Sequence, residues 1–251
     1  MKILISSIVL TFLTLSALPV SAQFEGDISY KVYYPQQSEN ETLDVEMSIT
    51  RERVFISSSS TMDVMAGLKT KGVLVRNDLQ DFVLITDGNE GIKIQKNELD
   101  NIVNLMNRMQ GKDANAQRPG FRWDERVVET GNKREINGYE TSEFVLKGEH
   151  EHEYVSVWLT DQIKVNWGLL LDAWYDAGAG QFEQDIPIEM VMNNNSFPLL
   201  VEAYKNGSAV MRATATSVET GSINQSKTEL PSGMKLIGLS EIMMNMFMQN
   251  R

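Results

Sequence analysis

Between residues 24 and 34 apolar and polar side chains alternate. Phe24, Ile28, Tyr30, Val32 and Tyr34 share one parity, and Glu25, Asp27, Ser29 and Lys31 the other. Successive residues of an extended chain face opposite ways, so this segment reads as a strand with one dry and one wet face. Leu43, Val45, Met47 and Ile49 repeat the pattern against Asp44, Glu46 and Ser48. Further strands are predicted over 53–58, 72–77, 82–86 and 91–95, with turn signals at Asn77-Asp78 and Asp87-Gly88-Asn89.

The period then changes. Leu99, Ile102, Val103, Met106 and Met109 fall on one stripe of a helix that Asn97 can cap and Gly111 can end. The polar stretch "GKDANAQRPG" reads as a loop. In "VVETGNKREINGYETSEFVLKG" the pattern predicts a strand ending at Val128, a turn at Gly131-Asn132 and a hairpin turn at Asn137-Gly138. Tyr139 starts the returning strand, and 153–160 is the next. A second helix is predicted from about Val165 to Ala177, with Trp167, Leu170, Leu171 and Trp174 as its stripe. Segments 197–205 and 208–218 read as strands joined at Asn206-Gly207, and Glu219-Thr220-Gly221 as a strand end. The tail "LSEIMMNMFMQNR" reads as a helix capped by Ser240. The sum is a mainly β (α+β) chain, one domain over 23–251, with two or three helices.

Residues 1–22 are read as a processing segment. Lys2 precedes an apolar run, and Val20-Ser21-Ala22 fits a signal-peptidase site with cleavage before Gln23. That reading places the protein in the periplasm or outside the cell. The net charge is −11, and −12 without Lys2, which argues against nucleic acid, whose phosphates need Lys and Arg. The chain has no cysteine, which excludes disulfides and thiolate metal sites.

Little in the chain points to catalysis. There is no cysteine nucleophile, Gly-x-Ser-x-Gly elbow, phosphate-cradling glycine loop or His-Glu-x-x-His helix, and only two histidines exist. The two Glu-Thr-Gly triplets do not make an aspartic-protease pair, because they carry Glu and the expected apolar sequence does not follow. The reading is a non-enzyme without a cofactor. His150 and His152 in "GEHEHEY" would share a side if that stretch were a strand, and could begin a Zn²⁺ or Cu²⁺ site. Met243, Met244, Met246 and Met248 of the tail could donate thioethers to Cu(I), but the tail's apolar residues almost encircle the helix. A closing helix, or one that docks on an envelope protein, fits better. Segments 82–85 and 154–159 are apolar on both sides, so a one-layer sheet needs a cover or a ligand there. Met47, Met62, Met65, Met106, Met109 and Met211, with Met190 and Met192, are adaptable cavity liners. Leu99, Ile102, Trp158, Trp167, Leu170 and Trp174 complete the candidate apolar-ligand site.

The order of parts resembles a family of exported bacterial proteins with a domain of unknown function, related to the lipoprotein-carrier (LolA/LolB-like) superfamily. The residues that carry the resemblance are "FEGDISYKV", "ETGNKREINGYETSEFVLK", "VSVWLTDQI", "FPLLVEAYKNG" and "LPSGMKL", spread over most of 24–237. The resemblance implies a curved antiparallel sheet, a half-open barrel, with helices closing its concave face. In the carrier relatives that concavity holds acyl chains, so the expected partner is a lipid or an acylated protein. The competing expectation is a structural or stress-related envelope module with no cavity.

Overall fold

The computed structural model describes residues 23–35, 42–63, 69–86, 88–98, 101, 127–148, 150–171, 192 and 195–242. They form a mainly β structure of twelve strands: β1 Gly26–Tyr33, β2 Thr42–Ile49, β3 Arg53–Asp63, β4 Lys69–Arg76, β5 Asp81–Ile85, β6 Glu90–Gln95, β7 Val127–Ile136, β8 Tyr139–Lys147, β9 Tyr154–Thr160, β10 Phe197–Lys205, β11 Ser208–Thr220 and β12 Lys235–Gly238. All twelve belong to one sheet, ordered β12-β6-β5-β4-β3-β2-β1-β11-β10-β9-β8-β7. Each neighbouring pair is antiparallel except β12 with β6. Two meanders therefore lie side by side, and β1 and β11 are the seam between them.

Register carries the sequence alternation across the seam. Ile28 pairs with Met47 on one side and Val218 on the other, Met47 with Ile56, Ile56 with Val73, and Val73 with Leu84. These side chains make one apolar face. Ile28, Ile49, Val54, Phe82 and Leu84 are fully buried on it. Asp27, Ser29, Glu46, Ser48 and Ser57 occupy the other face by the same register. The two Asn-Gly hairpins stand as predicted: Asn137 and Gly138, and Asn206 and Gly207, all have positive φ.

Four expectations are corrected. Val127–Ile136 is one continuous strand, so "ETG" does not end it. The register shifts between Glu129 and Lys133, where Gly131 has φ 76°, which makes a bulge. Thr130 and Asn132 at this bulge donate to Glu143 of β8, at 2.9 and 2.7 Å. The first helix starts at 96, directly after β6. Its start is held by the Gln95 N–H donating to Glu98 Oε2 at 3.2 Å, so Gln95, and not Asn97, is the cap. The second helix begins at 169, and 163–167 has no regular secondary structure. The tail helix begins at 239, so Ser240 lies inside it, where its hydroxyl donates to Glu98 at 3.2 Å.

Between β11 and β12 the chain must travel from the middle of the sheet to its edge. Residues 221–234 make this crossing as a strap over the polar face. A short 3-10 turn, Gln225–Thr228, sits in it, with Asn224 accepting from the Ser226 N–H. The strap is tied down by Gly221 N–H to Glu25 O at 3.0 Å, Lys227 to Asp27 at 2.7 Å, Arg53 to Thr228 O at 3.3 Å and Asn89 to Gly233 O at 2.7 Å. No helix among the described residues is long and apolar enough to cross a membrane.

Candidate functional site

The apolar face is covered by the segment 163–171. Ile163, Val165, Trp167, Leu169 and Leu170 are buried against it. Phe197 of β10 is the centre of the contact, with only 1% of its surface exposed. The Trp167 ring lies parallel to it at 6.2 Å and the Tyr30 ring is tilted against it at 6.3 Å. The Tyr30 hydroxyl donates to the Pro198 carbonyl, and burial pushes the Tyr30 phenol up from its usual value. The cover is irregular chain followed by a helical turn, not a strand, so it adds no ladder to the sheet. Lys164 O accepts from the Phe24 N–H at 3.0 Å, and Asn166 O from Asn77 Nδ2 at 3.0 Å.

The structure divides the expected apolar-site residues. Met47, Trp167 and Leu170 come together in this core, with Met192 beside them. Met211 packs at a second cluster on β8–β11, around Val157 and Val201. Trp158 pairs with Leu200 on one side and with Glu143 on the other. The Arg134 guanidinium stacks over its ring at 3.8 Å, a cation–π contact. Met62 belongs to β3 and pairs with Thr70. Met65, Leu99, Ile102, Met106, Met109, Trp174 and the tail methionines Met243, Met244, Met246 and Met248 lie outside the described residues.

The histidine pair is corrected too. His150 and His152 stand in the exposed turn between β8 and β9, so strand alternation does not align them. Among the described residues no group of three or more His, Asp or Glu gathers to hold a metal ion.

The polar face carries what the sequence reading missed. A groove of about 760 Å³ lies between the strap and β1–β3 with β11. Asp27, Glu46, Glu219 and Glu229 give it carboxylates, and Lys227 is its ammonium. Phe55, Leu230 and Pro231 give it an apolar patch. Ser29 donates to Glu46 and Ser48 to Asp27, both at 2.6 Å. Burial works against the Asp27 carboxylate, but the bonds from Lys227 and Ser48 outweigh it and hold the carboxyl below its usual range. Beyond the 3-10 turn a second groove of about 440 Å³ includes Arg53 and Asp78. The Arg53 guanidinium, at 2.7 Å, holds the Asp78 carboxyl low. The available signal was the wet parity of β1 and β2 together with a connector, 221–234, far longer than a hairpin turn.

No family model and no curated protein matches the chain. Among solved structures it is similar to "Structure of PNGF-II in P21 space group", with 12% identity and a TM-score of 0.43 over 92% of this chain and 34% of that one. For "Structure of PNGF-II in C2 space group" the figures are 12%, 0.42, 87% and 32%. The chain thus spans about a third of the length of those structures, at a likeness that transfers neither fold nor activity.

Proposed function

We propose that the protein is a non-catalytic binder of an apolar or amphipathic ligand, a lipid or an acylated protein, in the periplasm, and that its sheet is a half-barrel of the lipoprotein-carrier type. The observation that carries this reading is the cover. Segment 163–171 sits on a continuous apolar face largely through side chains such as Trp167, Leu169 and Leu170. Such contacts are non-directional, so the methylenes of a ligand can replace them, each contributing about 0.8 kcal/mol. Curvature of the sheet is supported by Asn137. Its Nδ2 donates to the Ala215 carbonyl at 2.8 Å, although β9 and β10 lie between β8 and β11. A flat sheet would hold those strands about 14 Å apart. Ile136 and Tyr139 accordingly pack on the same core as Ile92 and Ile94.

The test is native mass spectrometry of the purified mature chain, followed by solvent extraction and lipid analysis. A stoichiometric co-purifying lipid, lost in Leu170→Glu, is the expected result. An apo mass that stays unchanged after incubation with fatty acids and phospholipids sinks the reading and leaves an envelope module with a permanently packed core.

The groove on the polar face favours a second, independent reading. Its carboxylates and apolar patch suit a small organic cation with a carbon body, of the polyamine class. Calorimetric titration with spermidine should give saturable one-to-one binding that weakens in the Glu46→Gln/Glu219→Gln double variant. Heat without saturation, or binding indifferent to that variant, refutes it.

A further inference from the structure

Gln23 carries a polar group that the fold leaves unpaired. Its side-chain Nε2 is buried without a hydrogen-bond partner, the one such side-chain atom among the described residues. The backbone next to it is not free to relieve this. Phe24 is buried, and its N–H donates to Lys164 O at 3.0 Å, which ties this end of the chain to the cover segment. A buried amide nitrogen has two donors to satisfy, and native folds leave few such groups unmatched.

Gln23 is also the residue that the Val20-Ser21-Ala22 pattern places first after processing, and the inference rests on that reading. We propose that Gln23 is a modification site and that export converts it to pyroglutamate. Cleavage frees the α-amine of Gln23. Its nitrogen attacks the Cδ of the same side chain, a five-membered lactam N–Cδ bond forms, and the Cδ–Nε2 bond breaks. Nε2 leaves as ammonia, taking the proton that the amine gives up. No oxidant or co-substrate is needed. The departing atom is the one for which the fold has no partner.

The test expresses the full chain in an exporting bacterial host and analyses the purified product by intact mass and by sequencing of the N-terminal peptide. The expected product is lighter than the chain beginning at Gln23 by one ammonia. It resists amine-directed sequencing until pyroglutamyl aminopeptidase is added. A Gln23→Ser variant should keep a free amine that labels normally, which shows that the block depends on this side chain. A product beginning with an uncyclised Gln23 overturns the modification while the processing reading stands. A product beginning at any other residue overturns both.

Discussion

Arg76 and Asp81 show how a single pair is chosen by its surroundings. They face each other across the β4–β5 register, joined by two bonds of 2.7 Å, with both side chains almost wholly buried. Removing one partner strands a buried charge. Asp81→Ala should lose about 3–5 kcal/mol in urea unfolding, while Arg76→Met/Asp81→Leu should recover most of it. If the double variant is as unstable as the single one, the pair does more than satisfy itself. Phe197 makes the matching apolar case. Packed between Trp167 and Tyr30, it should cost about 3–5 kcal/mol as Phe197→Ala, read as a fall in the thermal midpoint by circular dichroism. Its place on a strand was legible in the sequence. Its ring partners were not, since Tyr30 and Trp167 are 167 and 30 residues distant and meet it only in the folded chain.

Among the elements, the seam between β1 and β11 is where local pattern gives least warning. At Gly26 an added Cβ would stand 2.0 Å from the Glu219 carbonyl oxygen of β11, and backbone cannot step aside as a side-chain tip can. Gly26→Ala should therefore destabilise the protein by roughly 2 kcal/mol or more, as other overpacked sites do. Gly207→Ala has nothing within 4 Å of its Cβ and only a positive φ to oppose it, so a loss of about 1 kcal/mol is expected. Equal losses in denaturant titrations would show that the seam tolerates separation. Sequence reading found nearly every strand because period-2 alternation is local. It misplaced the helix starts by a few residues because caps are set by particular bonds. Glu98 reaches back to the Gln95 N–H and across to Ser240, and only the first of these contacts is close in sequence.

For the whole molecule, acid is the informative variable. Asp27 and Asp78 are held below the usual carboxylate range, and so is Glu143, where burial is outweighed by bonds from Asn132, Ser156 and Thr130. A carboxyl whose folded value is depressed contributes stability that is complete above its unfolded value and is lost as pH falls through the folded one. The urea midpoint should thus stay level from neutrality to about pH 5 and drop below that, and Asp27→Asn should flatten the drop. A midpoint that rises with acidity contradicts these pairings. The same side chains mark the boundary between what was legible and what was not. Sequence alone determined the mainly β class, the parities of β1 and β2, the two Asn-Gly hairpins and the wet character of Asp27, Ser29, Glu46 and Ser48, because each depends on neighbours a few residues away. Tertiary structure decided that β11 returns to β1, that Arg134 stacks on Trp158, and that 221–234 straps the polar face so that Lys227 meets Asp27. Those outcomes depend on which distant strands pair and in which register, and a strand's own alternation carries no record of its partner.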